Sequence, residues 1–197
     1  MKTSAAIGLV LLSSAGLLAC ARQAPPSASL PPSQQAFWSV LHDLCGSAFA
    51  GTLRQAPQGD TSFIGVDLVM HARECGDDEI RIPFHVGSNR SRTWIVSRTA
   101  EGLRLKHDHR HEDGDEDEIT QYGGDTRGPG SATSQEFYAD AHTAALIPAA
   151  ATNVWTIELE PGRTLAYALR REGTDRRFRI EFDLGRPIPA PPAPWGH

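Results

Sequence analysis

The stretch NVWTIELEPGRTLAYALRREGTDRRFRIEFDL, residues 153–184, alternates apolar and polar side chains with a period of two. In its last run, residues 178–184, the even-numbered side chains are apolar and the odd-numbered ones are charged. Because successive side chains of a β-strand point to opposite faces, this pattern is typical of an antiparallel sheet with one buried face. Pro161-Gly162 and Gly173-Thr174 mark the turns between three such strands.

The same period recurs outward along the chain, for example in Ile80, Ile82 and Phe84, with glycine-containing turns between the runs. We place about ten strands near residues 46–54, 62–72, 79–86, 91–99, 103–111, 116–122, 131–138, 153–160, 163–171 and 176–184. A short helix is predicted from Ser33 to Gly46, where apolar residues repeat at helical spacing. The sequence therefore predicts an all-β fold, an antiparallel up-and-down meander that forms a barrel or a sandwich, with a short N-terminal helix.

A short helix followed by a meander of hairpins resembles the calycin group, which contains the lipocalins and the fatty-acid-binding proteins. The resemblance is architectural and covers most of the chain after its N-terminal segment. Gly46-Ser47-Ala48-Phe49 departs from the lipocalin signature G-x-W, so no functional residue is carried over. A ten-strand barrel of this size can enclose one small apolar ligand, and a non-catalytic binding module is the first functional hypothesis.

The N-terminus carries a targeting signal. Lys2 is followed by an apolar run from Ala5 to Ala19, which is too short to span a bilayer comfortably. The run ends in Leu17-Leu18-Ala19-Cys20, which resembles the lipobox of bacterial lipoproteins. The resemblance implies a signal peptide over residues 1–19, lipidation of Cys20 and anchoring in the cell envelope. An ordinary secretory signal with a chance cysteine is the alternative.

Composition divides the rest of the chain. Residues 20–35 are rich in Pro, Ser, Gln and Ala and predict a flexible tether, and residues 185–197 predict a proline-rich extended tail. Residues 36–184 then form one domain of ordinary size. Ala21, rather than an aspartate, follows the lipidated cysteine, which by resemblance favours the outer membrane, facing the periplasm. A net charge of -5 gives no basic field for nucleic acid.

Two cysteines remain once Cys20 is assigned to lipid. Export places Cys45 and Cys75 in an oxidising compartment, where an even pair usually forms a disulfide. A reactive thiol or a metal ligand is the alternative. Neither cysteine lies in a CxxC motif or near a histidine cluster in sequence, so we predict the disulfide.

Residues 103–122, LRLKHDHRHEDGDEDEITQY, hold the clearest candidate chemistry. Asp113-Gly114 predicts a two-residue hairpin turn, which would place His109 opposite Glu118 and His111 opposite Glu116. Two imidazoles and a carboxylate suit zinc, copper, nickel or non-haem iron. The candidate ligands are therefore His109, His111 and Glu116, with Glu118 as the alternate, and zinc or copper would be the cofactor.

The same segment has plainer interpretations. A run of this charge is also typical of a solvated hairpin tip, whose His–Glu pairs would raise the histidine pKa values. A third hypothesis is a structural lipoprotein that docks an unidentified envelope partner through the acidic hairpin or the proline-rich tail. Arg90, Arg92 and Arg98 could form a small anion-binding patch near the Gly87–Asn89 turn, or lie on a neutralised surface.

Enzyme motifs give little support to catalysis. The chain contains no G-x-S-x-G, H-E-x-x-H or S-x-x-K, and no glycine-rich loop opens a helix after a strand. We assign no catalytic residue. Metal-assisted chemistry at the histidine hairpin is the one enzymatic hypothesis left open.

Overall fold

The computed structural model describes residues 29–196. The predicted signal peptide, Cys20 and most of the predicted tether lie outside this part of the chain. The helices are α1 (Pro32–His42), α2 (Ala141–Leu146) and a 3₁₀ turn (Pro148–Ala150). The strands are β1 (Ala48–Gln55), β2 (Leu68–His71), β3 (Glu74–Cys75), β4 (Glu79–Val86), β5 (Asn89–Thr99), β6 (Gly102–His109), β7 (Tyr122–Asp125), β8 (Ser134–Ala139), β9 (Asn153–Glu160), β10 (Thr164–Arg171) and β11 (Arg177–Ile188).

Ten of these strands close into an antiparallel barrel. Neighbours in sequence pair from β4 to β11, β11 pairs with β1, and β1 pairs with β2. The pairing of β2 with β4 completes the ring, and the two-residue β3 is added to the edge of β4. The predicted meander is confirmed, and of its two predicted forms the chain adopts the barrel.

The period-two pattern determines which side chains fill the barrel. Ile80 and Ile82 on β4 are at most 1% exposed, as are Ile180 and Phe182 on β11. Burial of apolar area contributes roughly 25 cal/mol per Å², so the inner face of each strand is the main stabilising surface. The alternating polar side chains face outward and form ion pairs across strands, such as Arg179 with Glu158 at 2.8 Å.

Helix α1 fills one end of the barrel. Phe37, Trp38 and Leu41 are 4% exposed or less and belong to the hydrophobic core. The Gln34 amide donates to Thr126 Oγ1 at 3.0 Å, beside the end of β7, and the Arg98 guanidinium lies 5.6 Å from the Trp38 ring centre. We call this the closed end, and the opposite end, where β1, β4 and β6 finish, the open end.

The C-terminal segment lies against the barrel. Strand β11 continues to Ile188, where it pairs with Ala48, so the first residues of the proline-rich stretch are part of the sheet. Further on, the Trp195 amide donates to the Arg90 carbonyl at 3.1 Å, and Arg90 donates to the Ala193 carbonyl at 2.8 Å. Prolines without amide hydrogens suit such an edge position, because they leave no donor unpaired.

A disulfide joins the segment after α1 to strand β3. Cys45 and Cys75 are bonded, with their Cα atoms 6.2 Å apart and a sequence separation of 30. The predicted pairing is confirmed. The bond ties the helix that fills the closed end to the edge of β4, which pairs with β3.

We expect the Cys45→Ala variant to lose about 3–4 kcal/mol of unfolding free energy, because the bond restricts a loop of this length in the unfolded chain. Urea unfolding of wild type and variant, each with and without reductant, measures the loss. Reductant should reproduce the loss in the wild type and leave the variant unchanged. A wild type that is insensitive to reductant would show that the bond does not stabilise the fold.

Candidate binding cavity

A cavity of about 260 Å³ lies inside the barrel at the open end. Its walls are inward-facing strand side chains, and its rim includes residues of the loops 56–67 and 140–152. Phe63 reaches the cavity from the first loop, and Ile147 and Ala150 from the second. The cavity therefore opens toward the end of the barrel away from α1.

Stacked aromatic rings form one wall of the cavity. The rings of Phe84 and Trp94 are 4.8 Å apart at 18°, and those of Trp94 and Tyr167 are 4.2 Å apart at 13°. Phe63 packs on Phe178 with ring centres 4.9 Å apart. Such contacts are worth about 0.5–1.5 kcal/mol beyond area burial, and they hold flat apolar surfaces toward the cavity.

His107 lies at the back of the cavity and is 3% exposed. Its Nδ1 is 3.1 Å from the Tyr122 carbonyl, so Nδ1–H donates there and Nε2, at 2.7 Å, accepts from the Tyr167 hydroxyl. Burial lowers the pKa of His107 to about 3, because a charged ring would lose its hydration. The neutral ring fixes the position of Tyr167, which is part of the aromatic wall.

His109 and Tyr122 form a neutral polar group nearer the rim. The Tyr122 hydroxyl is 3.1 Å from His109 Nε2. Burial, with the neighbouring charge of Arg92, lowers the pKa of His109 to about 4, and burial raises the pKa of Tyr122 to about 12. At neutral pH both groups are therefore uncharged and available as hydrogen-bond partners.

Arg92 brings a positive charge into the cavity from β5. Its Nη1 donates to Asn89 Oδ1 at 2.9 Å and to Ser91 Oγ at 3.4 Å, and both acceptors are neutral. Within residues 29–196, no carboxylate lies within 4 Å of this guanidinium. Burial is the main cause that lowers the pKa of Arg92 from its ordinary value.

The predicted anion patch of three arginines is not formed. Arg98 lies at the closed end, over Trp38, and donates to Gln35. Arg90 is bonded to the C-terminal segment. Of these three arginines, only Arg92 lines the cavity.

The predicted register of the histidine hairpin is wrong. His107 pairs with Tyr122 rather than with Thr120, a slip of two residues, and Arg110 rather than His111 is opposite Glu116. The Asp108 side chain is 1% exposed and accepts from Arg110 and Gln121. Because a buried carboxylate needs such donors, residues 110–121 fold into a compact loop rather than a regular two-residue hairpin.

This register leaves the four predicted metal ligands apart. His109 points into the cavity, and the predicted rise of its pKa is wrong, since burial outweighs the nearby acids. His111 and Glu118 are exposed, and Glu116 pairs with Arg110 at 3.2 Å. The described part of the chain groups no three His, Cys, Asp or Glu side chains around a metal position. Zinc or copper binding at this loop stays a prediction.

A larger groove of about 690 Å³ crosses the outer face of β8 to β11. Its ions largely pair with each other, for example Arg170 with Glu136 at 3.3 Å. Exposed ion pairs of this kind contribute little to the free energy of unfolding. We place the candidate site in the smaller inner cavity, because ligand sites are concave, largely apolar and equipped with a few polar groups.

Sequence reasoning placed Arg92 only in a surface patch and missed it as a cavity residue. A usable signal existed, because Arg92 shares the inner face of its strand with Trp94 and Val96, where a charge is unusual. Within residues 29–196, no helix is long and apolar enough to cross a membrane. No protein family, curated protein or solved structure matches this chain.

Proposed function

We propose that this protein is a non-catalytic binding module that holds a small molecule with an aromatic or apolar body in the open-end cavity. The observation that carries the proposal is the aromatic wall of Phe84, Trp94 and Tyr167, which belongs to the hydrophobic core and also lines the open-end cavity. Phe84, Trp94 and Tyr167 are 6% exposed or less, so a ligand would meet their faces inside the barrel rather than at its surface.

Cavity size and polarity support a small ligand. A volume of about 260 Å³ is just below the usual range for drug-sized ligands, roughly 300–1,000 Å³, and therefore suits a smaller molecule. The polar groups are few and fixed: His109 and Tyr122 hold each other, and Asn153 accepts from Arg171 at 2.9 Å. A few oriented polar groups on an apolar surface are typical of sites that select one orientation of a ligand.

Exposed apolar side chains also favour the open end. Among residues 29–196, the exposed large hydrophobic residues are Ile64, Val66 and Ile119, at 60%, 42% and 43%. All three lie in the loops 56–67 and 110–121 around the cavity mouth. Apolar exposure next to a cavity is a common mark of a ligand-access region.

The test compares two alanines of the same 3₁₀ turn. Ala150 lines the cavity and Ala149 is exposed. We expect wild type to bind the neutral probe 2-naphthamide, measured by calorimetry in detergent-free buffer. Ala150→Leu should weaken binding at least about tenfold, since overpacking costs about 1–3 kcal/mol. Ala149→Leu should bind as wild type does. Equal binding by all three proteins would place the probe elsewhere.

We also propose that the protein is a lipid-anchored component of a bacterial envelope, on the outer membrane and facing the periplasm. The support is the Leu17-Leu18-Ala19-Cys20 motif after a short apolar run. Several acyl chains give effectively stable attachment, because each buried methylene adds roughly 0.8 kcal/mol. Cys20→Ser should therefore abolish detergent partitioning and incorporation of radiolabelled lipid. Unchanged membrane association of this variant would point to a different anchor.

A further inference from the structure

We infer that the ligand of this cavity is an aromatic anion, whose carboxylate or similar group pairs with Arg92. The inference rests on the proposed binding function and names the chemical class of its ligand. It starts from the position of Arg92, whose guanidinium lines the same cavity as the aromatic rings of Trp94 and Tyr167.

The guanidinium has unused donors. Arginine presents five N–H groups in a planar fork, and in Arg92 the hydrogen bonds to Asn89 and Ser91 both come from Nη1. Nε and Nη2 have no partner within the described residues. Two parallel N–H groups match the two oxygens of a carboxylate, a geometry that lysine cannot offer.

The charge also lacks a counter-ion. Arg92 is half-buried, and partial removal of a charged group from water favours a partner of opposite charge. Asp117 acts electrostatically on His109 and Tyr122, and Asp60 lines the cavity, but neither makes an ion pair with Arg92. A bound anion would satisfy Arg92, and Tyr122 or His109 could donate a further hydrogen bond to it.

The other charged residues of the cavity lining are mostly basic. Arg171 and Arg176 line the cavity, against a single acid, Asp60. The loop 110–121 beside the mouth carries six acids against one arginine, so the excess of positive charge is confined to the cavity lining. Within the cavity this excess of positive charge favours an anionic group on the ligand.

The aromatic part of the cavity lining indicates the shape of the uncharged part of the ligand. Phe84, Trp94 and Tyr167 form a continuous stack, and Trp155 and Phe178 also line the cavity. Flat rings on several sides favour a planar body by offset or edge contacts. The combination is a planar aromatic body with one negative group.

A matched pair of probes tests the inference on wild-type protein. 2-Naphthoate and 2-naphthamide have nearly the same shape and differ in the negative charge. We expect calorimetry to give a dissociation constant for naphthoate at least about tenfold lower than that for the amide. Equal affinities, or tighter binding of the amide, would overturn the inference and leave the proposed function standing. Binding of neither probe would contradict the proposed function itself.

Variants then assign the effect to Arg92. Arg92→Met should remove the preference for naphthoate, so that the two probes bind this variant with dissociation constants within about twofold of each other. Arg163→Met removes the same charge from a 75% exposed side chain at the closed end and should keep the preference. A preference that survives in Arg92→Met would overturn the role of Arg92. If that variant does not fold, the comparison of probes on wild type decides.

Discussion

Between pH 7 and pH 5, the free energy of unfolding is expected to fall by about 4 kcal/mol, because two histidines are buried in their neutral form. The folded pKa of His107 is about 3 and that of His109 about 4, against 6.5 for the unfolded chain. Stability from a lowered histidine pKa is present above the unfolded value. It is lost as the pH falls from 6.5 toward the folded value, where the unfolded chain binds the extra protons.

The contributions of other titratable groups to this pH dependence can be distinguished from those of His107 and His109. Burial also lowers the pKa of His71 and His85, which adds loss of the same sign. Hydrogen bonds lower the carboxyl pKa of Asp140 and Glu181, but their contribution is lost only below about pH 4.5. The range from pH 7 to pH 5 therefore reports on histidines.

Urea unfolding at a series of pH values provides the measurement. His107→Phe should be less stable at pH 7, where it loses the bond to Tyr167, and should show a shallower dependence on pH. His142→Gln, at an exposed position on α2, is the matched control and should follow the wild type. Parallel pH dependences for wild type and His107→Phe would contradict the assignment to His107.

Gly124→Ala is expected to cost more than about 4 kcal/mol of unfolding free energy, or to prevent folding. A Cβ atom at this position would lie 1.7 Å from the Tyr138 carbonyl oxygen on the neighbouring strand β8. Backbone atoms cannot move aside as a flexible side chain can. The clash would force β7 and β8 apart and open the barrel between them.

The matched control is Gly128→Ala, four residues further along the chain. A Cβ atom at Gly128 would meet no atom within 4 Å. This variant should stay within about 0.5 kcal/mol of wild type. Urea midpoints and near-ultraviolet circular dichroism compare the two. Similar stability of Gly124→Ala and Gly128→Ala would mean that β7 does not approach β8 this closely.

Strong turn signals explain why part of the fold could be predicted. In residues 153–184, proline and glycine stand at both turns, and the predicted strands 153–160 and 163–171 match β9 and β10 within one residue. The strand predicted near 116–122 fails, because Asp108 draws donors from the following loop. Asp108 is buried on the outer side of β6 by tertiary contacts, which a period-two pattern in the sequence does not predict.

The candidate site was predictable only in part, because its cross-strand partners also depend on tertiary contacts. The alternation in residues 103–109 correctly puts His107 and His109 on one face, and a two-residue slip preserves that face. The slip changes the partners, however, so His109 meets Tyr122 rather than Glu118. The missing counter-ion of Arg92 depends on the positions of every acid nearby. No local pattern could supply that information.

Helix α1 at the closed end has a consequence for how the molecule would stand on a membrane. The chain enters the barrel through this helix, which begins at Pro32, twelve residues after Cys20. A lipid on Cys20 would then hold the sealed base toward the bilayer and turn the mouth to the aqueous side. The ligand would then enter from the surrounding solution or from another protein. The membrane would hold the protein in place but would not supply the ligand.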